Sequence, residues 1–249
     1  MAVSATVLTR DSERRLGDVL AALAWCDEVV VLDTGSIDST LHIASRYPNV
    51  SIHLLPGPFP GFGQAHRHAV ALARNDWILS IDSDEVVSEA LSAEIRGLAA
   101  CPRTVYALAF ENFFNGRLIT SCGWHREHHE RFFSRRTTNF CAGEVHERVQ
   151  TAGLAVRRLR GSVRHYSYES SDDFLRKMRS YGQLFAAQHV GRKSSSPGKA
   201  LRRGAWAFAK SYLLQRGFAQ GYEGLVISAY KAQTTYWKYL LLHDANQRR

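Results

Sequence analysis

Glu28-Val-Val-Val-Leu-Asp33 sets four consecutive apolar residues between two acids. A strand with one wet face alternates apolar and polar residues. A run that is apolar at every position needs cover on both sides, as in the parallel sheet of an α/β fold. The flanking residues agree. Upstream, Val3–Leu8 is a second β-rich run, and Ser12 is placed to N-cap a helix over 13–25 with Leu16, Val19, Leu20 and Leu23 at helical spacing. Downstream come a turn over 34–39, a short helix over 40–47 and a third strand over 50–55. Pro56-Gly-Pro-Phe-Pro-Gly-Phe-Gly63 is loop, because three prolines and three glycines defeat both ladder types. A helix over 64–74 and a fourth strand over 77–81 complete the series. Such a β-α-β-α-β-α-β order predicts a doubly wound sheet whose ligand sits beyond the carboxyl ends of its strands.

Those ends carry acids. The first strand closes on Thr9-Arg-Asp11, the second on Asp33, and the fourth on Asp82-Ser-Asp-Glu85. A single Asp at such a place is often a helix N-cap. Carboxylates gathered as Asp82-x-Asp84-Glu85 repel one another unless a cation offsets them, and oxygen donors of this kind suit Mg²⁺ or Mn²⁺ holding substrate phosphates. No G-x-x-x-x-G-K-[ST] and no G-x-G-x-x-G occurs, which argues against a P-loop enzyme and a dinucleotide dehydrogenase.

The 249 residues (28.0 kDa) fit one large domain with a modest appendage, and 45% hydrophobic content is enough for a core. The net charge of +9 is unevenly placed. Residues 1–156 hold 14 Lys/Arg against 18 Asp/Glu, whereas residues 157–249 hold 18 against 5. From 170 onward the pattern is helical, with segments over 174–188, 199–216 and 222–243. In the second of these, Leu201, Ala205, Phe208 and Tyr212 form one stripe and Lys199, Arg203, Trp206 and Lys210 the other. A cationic stripe carrying a Trp suits a helix lying on an anionic membrane face. No signal peptide is read at the N-terminus, and no run reaches the ~18 apolar residues of a membrane span. Cys26, Cys101, Cys122 and Cys141 are far apart and predict reduced thiols in a cytosolic protein.

The stretch Trp25–Thr40, then Gly61-Phe-Gly-Gln64 and Trp77–Glu85, resembles glycosyltransferase family 2, and within it the bacterial lipopolysaccharide-core β-1,4-glucosyltransferase group. Gly123-Trp124, Arg131–Arg135, Glu144-Val-His-Glu-Arg148, His165-Tyr-Ser-Tyr168 and the tail from Arg216 to Tyr239 extend the likeness over nearly the whole chain. The resemblance implies a GT-A type doubly wound mixed sheet over 1–169, a basic helical extension over 170–249 facing membrane or acceptor, and inversion at the anomeric carbon. It implies a metal-dependent hexosyltransferase using a UDP-sugar and a glycolipid acceptor, with the protein peripheral on the inner face of the cytoplasmic membrane and no nucleic-acid partner. By the same resemblance Thr9, Asp11, Asp33, Arg67, Asp82 and Ser83 hold the nucleotide-sugar. Asp84, Asp82 and His165 hold Mn²⁺ or Mg²⁺, with Asp84 the principal ligand.

For the base that deprotonates the acceptor hydroxyl, the residues alone leave Glu144 and Glu147 equal, and the family pattern favours Glu147. Trp124 offers an aromatic face to a sugar ring or a packed core residue. His125, at the start of His125-x-x-His128-His129, falls in a basic stretch read as a loop near acceptor or phosphate. Two other readings compete: a nucleic-acid-binding protein, from the basic back half, and a sugar-1-phosphate nucleotidyltransferase, from the sheet. Neither has its motif, since Arg10-Asp-Ser-Glu13 is not the Gly-rich basic loop that cradles a triphosphate.

Overall fold

In the computed structural model, which describes residues 1–124, 127–141, 148–168 and 171–248, the run at 28–33 is covered on both faces. It forms β2 (Glu28–Asp33), hydrogen-bonded in parallel between β1 (Val3–Thr9) and β3 (Val50–Leu54). Val29 and Val31 pack with Leu16, Val19, Leu20 and Leu23 of the α1 segment (α1 is Leu16–Ala22) and with Ala44 at the end of α2 (Thr40–Ala44). Val30 and Leu32 face the other way: Val30 meets Val70 and Ile78, and Leu32 meets Ala65 and Ala69 of α3 (Phe62–Leu72). Each such buried Val or Leu contributes roughly 1.5–3 kcal/mol.

β4 (Trp77–Asp82) pairs in parallel with β1, and past it the sheet turns antiparallel. β5 (Glu85–Val87), α4 (Glu89–Arg96), β6 (Thr104–Phe114), β7 (Arg117–Leu118), β8 (Glu127–Ser134) and β9 (Ala155–Tyr168) follow. The strand order is β3-β2-β1-β4-β8-β6-β9-β5, with β7 paired to β6. The sheet is therefore mixed, as expected. α4 lies so close to β9 that a Cβ at Gly161 would stand 2.4 Å from the Leu91 Cα.

The chain divides into two compact units, 1–111 with 127–165, and 112–126 with 166–249. The division falls at Tyr166 rather than 170, and residues 112–126 group with the helices. In this second unit Phe114, Ile119 and Cys122 share a cluster with Tyr168, Phe174 and Ile227, and Arg117 pairs with Glu223 at 2.8 Å. Its helices are α5 (Ser171–His189), α6 (Pro197–Ala209) and α7 (Gly221–Gln247). A π turn (Lys210–Leu214), closed by the Gln215 N–H on the Lys210 carbonyl at 2.8 Å, and a 3₁₀ turn (Gly217–Gln220) interrupt the helix read over 199–216.

Two local expectations change. Ser12 does not cap α1: its hydroxyl meets the Arg10 carbonyl and Ser83 Oγ, and Arg15 takes the N-cap position. The stripe that α6 and the π turn bury is Ala200, Gly204 and Ser211, not Leu201 and Ala205. These small residues let the α7 backbone approach, since a Cβ at Gly204 would stand 3.1 Å from the Ala232 carbonyl. Leu201 is left 65% exposed and Trp206 58%. Among the described residues no helix is long and apolar enough to cross a membrane, and all four cysteines are free thiols.

Candidate active site

Everything in the acid-lined rim lies within the first unit. At the end of β2 the chain turns sharply, and the Asp33 carboxylate holds that turn together. It accepts from Thr9 Oγ1 (2.9 Å), the Gly35 N–H (3.0 Å) and the Ser36 N–H (2.9 Å), as well as the Ser36 hydroxyl. Burial pushes its pKa up, but the bonds from Ser36, Gly35 and Thr9 outweigh burial and hold it below the usual range. Asp33 thus fixes the rim's shape. Asp11, at φ 47°, accepts the Ile37 N–H at 2.9 Å and tethers the β1 loop to the same turn. Ser83 Oγ meets Ser12 Oγ at 2.8 Å, tying the acid loop of β4 to that of β1.

After Asp82 the chain passes through Ser83 and Asp84 into β5, whose antiparallel register with β9 sets Glu85 opposite His165. One oxygen each from Asp84 and Glu85 and one His165 ring nitrogen lie within 4.8 Å of one another. Asp84 Oδ1 stands 3.7 Å from His165 Nε2. Asp82 turns elsewhere. Its Oδ2 accepts from Arg131 Nη2 at 3.2 Å, and its Oδ1 is 3.7 Å from His66 Nε2. The oxygen donor beside Asp84 and His165 is therefore Glu85, in the place expected of Asp82.

Arg131 reaches both acids, because its Nη2 also lies 3.7 Å from Glu85 Oε1. The reach comes from a β-bulge: Tyr106 pairs with Phe132 but Ala107 with Glu130, so Arg131 is the extra residue of β8. Bulges re-aim side chains in this way beside active sites. Burial and the Asp82 charge push Glu85 up to about 8, against the pull of Arg131. Asp82 is opposed by burial but held low by Arg131 and His66. His128 and His129 lie on this strand, not in a loop.

His66 is 1% exposed on α3, stacked on Phe140 with centroids 4.5 Å apart. Burial lowers it to about 4, the Asp82 charge only partly opposing. A folded pKa below the unfolded value of 6.5 means that the unfolded chain takes up a proton first as the solution is acidified. The stability His66 supports is thus present near neutrality and is lost as the pH falls from about 6.5 toward 4. Between pH 7 and pH 5 this one group should remove about 2 kcal/mol. Urea unfolding of His66→Phe, which keeps the ring stack, should lack that increment; an identical pH dependence in both proteins would refute the assignment.

Of the other residues expected here, Arg67 donates to the Phe140 carbonyl at 2.8 Å. Trp124 lies in the second unit, stacked on Tyr168 at 5.5 Å. His125, Glu144 and Glu147 lie outside the described residues. Sequence reading missed His66 and Arg131 as site residues and left Glu85 out of the ligand set. For His66 a signal existed: it shares the buried face of α3 with Ala65, Ala69 and Val70. Arg131 had none, because a bulge leaves no periodicity. The donor set of two carboxylates and one imidazole fits a hard or borderline divalent cation.

The model of glycosyl transferase family 2 matches residues 5–160. An uncharacterized glycosyltransferase of Rickettsia typhi is 25% identical over 242 residues, covering 91% of this chain and 81% of the relative. A lipopolysaccharide core biosynthesis glycosyltransferase of Rhizobium meliloti is 24% identical over 193 residues, covering 76% and 72%. Among solved structures, S. aureus TarS 1–349 in complex with UDP-GlcNAc aligns at 16% identity and a TM-score of 0.49, covering 100% of this chain and 93% of that one. With a family match over more than half of its length, the chain belongs to glycosyl transferase family 2 and is a glycosyltransferase.

Proposed function

We propose that the enzyme moves a hexose, glucose in the first instance, from a UDP-sugar to a hydroxyl of a lipopolysaccharide inner-core or related glycolipid acceptor, with inversion. The observation that carries this is the convergence of Asp84, Glu85 and His165 just past the end of β4, next to Ser83, which is tied to Ser12 of the β1 loop. Asp84, Glu85 and His165 would hold Mn²⁺ or Mg²⁺, which supplies Lewis-acid stabilisation of a leaving diphosphate. Thr9, Asp11 and Asp33 shape the nucleoside end, and Arg131 keeps Asp82 ionised and oriented beside it. An incoming hydroxyl must lose a proton, and Glu147 takes it on the family pattern. The naming of the Rhizobium meliloti relative for lipopolysaccharide core biosynthesis supports the acceptor class.

The test is a screen of UDP-glucose, UDP-galactose and UDP-GlcNAc for Mn²⁺-dependent transfer to deacylated core oligosaccharide. Glu147→Gln should lower transfer by about 10²–10⁴-fold while leaving the donor Kd unchanged. Full transfer by Glu147→Gln with loss in Glu144→Gln would move the base to Glu144. No transfer from any UDP-sugar would reject the donor class.

We also infer a position on the inner face of the cytoplasmic membrane. Trp206, Leu213, Leu214, Phe218 and Tyr222 are each more than half exposed within seventeen residues, interleaved with exposed Lys210 and Arg216. Apolar side chains set among cations suit the boundary of an anionic bilayer. Co-sedimentation with phosphatidylglycerol vesicles should be strong at low salt and weaker at high salt; absence of binding at both would exclude this position.

A further inference from the structure

Four cations of the second unit converge on neighbouring aromatic rings at the junction of α5, α6 and α7. Lys193 Nζ lies 5.4 Å from the Phe185 ring centroid and 5.7 Å from that of Tyr239. Lys199 Nζ and Arg203 Cζ stand 5.8 Å and 5.6 Å from Tyr239. Lys238 Nζ stands 5.9 Å from Phe185 and 5.6 Å from Tyr181. A ring face attracts one cation weakly at an exposed site, and it does not neutralise several that repel one another.

None of the four is ion-paired among the described residues. The chain has no acid between Asp173 and Glu223, Glu223 is taken by Arg117, and, among the described residues, the α7 acid Asp244 is ion-paired with none of the four. Burial lowers Lys238 from its ordinary value. The N-terminus of α6 adds to the field: Ser196 caps it by accepting the Lys199 N–H at 3.2 Å, Pro197 opens it, and the space where a Gly198 side chain would stand is clear to 4 Å. The loop before it is polar, with Lys199 Nζ donating to the Ser194 carbonyl at 2.8 Å and Ser195 Oγ to the Tyr239 carbonyl at 2.6 Å.

We propose that Lys193, Lys199, Arg203 and Lys238 form a binding site for a phosphomonoester or pyrophosphate group, built around Tyr239 and the N-terminus of α6. The group's charge completes the cluster, and its oxygens accept from three ammonium groups and one guanidinium. The phosphate can belong to a lipid headgroup or to a soluble phosphorylated molecule. The site does not depend on the sugar-transfer reading, and Asp84→Ala leaves it intact.

Trace acetylation of the wild-type protein in EDTA, read by mass spectrometry, tests it with inorganic pyrophosphate and with vesicles of phosphatidylcholine carrying phosphatidic acid. At pyrophosphate ten times its Kd, labelling of Lys193, Lys199 and Lys238 should fall about tenfold while Lys210 is unchanged. Protection by pyrophosphate alone supports a soluble ligand. Protection by phosphatidic acid vesicles, and not by phosphatidylcholine alone, supports a headgroup. Protection by neither, or equal protection of Lys210, overturns the site. As a second measurement, Lys199→Gln with Arg203→Gln should raise the pyrophosphate Kd about tenfold or more, whereas the charge-matched pair Arg157→Gln with Arg158→Gln on β9 should barely change it. Equal weakening in both pairs would mean general electrostatics and reject the site.

Discussion

Asp84→Ala is expected to lower metal-dependent UDP release at least about a hundredfold, the scale for losing a group that stabilises developing charge. It should raise the Mn²⁺ concentration needed for half-activity in parallel. Asp84 supplies one of the two carboxylates of the group that, with His165, would hold the ion. Removing it leaves Glu85, whose proton is held up to about 8 by burial and by Asp82, and which must ionise before it can bind a cation. A readout apart from turnover is His165. Burial pulls its pKa down, but the Asp84 carboxylate 3.7 Å away outweighs burial and holds it above the ordinary value. In Asp84→Ala the imidazole pKa, followed by NMR without metal, should drop. Asp82→Asn is the contrast, because Asp82 faces Arg131 and His66 and should leave Mn²⁺ affinity far less disturbed. Equal Mn²⁺ requirements in wild type and Asp84→Ala would remove Asp84 from the ligand set.

Arg131→Met should destabilise the metal-free protein by about 2 kcal/mol at neutral pH, the scale for losing a hydrogen bond between charged groups at a partly exposed carboxylate. Arg131 is 8% exposed, and its guanidinium serves Asp82 and Glu85 together. Met matches its stem in length, so packing changes little and the loss reports charge. Asp82 is the group that pays. Burial raises its pKa, Arg131 more than reverses that, and the folded value lies below the unfolded one. A depressed carboxylate contributes stability above its unfolded pKa and loses it as the pH falls through the folded one. The difference between wild type and Arg131→Met should therefore be largest near neutrality and shrink on acidification, as Asp82 is protonated first in the variant and then in the wild type. Urea unfolding of Arg131→Met, Asp82→Asn and the double variant measures the coupling. Strict additivity of the two single losses would show that the pair does not interact.

Local patterning carried much of the front half. Four apolar residues in a row required cover on two faces, and the structure splits them, with Val29 and Val31 toward α1 and Val30 and Leu32 toward α3. β1 to β4 lie within a residue or two of where alternation and turn chemistry put them. In the back half, composition located the helices but not which stripe of α6 is buried. Hydrophobicity favours Leu201 and Ala205. Close approach to α7 favours Ala200, Gly204 and Ser211, and backbone proximity won.

The residues by themselves thus determined a doubly wound sheet with acids at its strand ends, because burial periodicity and turn propensity are properties of short windows. Only the tertiary structure decided how those acids are used. Glu85 and His165 are eighty residues apart and meet through the register of two antiparallel strands. Arg131 turns toward Asp82 through one extra residue in β8, and His66 of α3 comes within 3.7 Å of the same carboxylate. Register and bulge depend on which distant strand is the partner, and that energy is absent until the chain has folded.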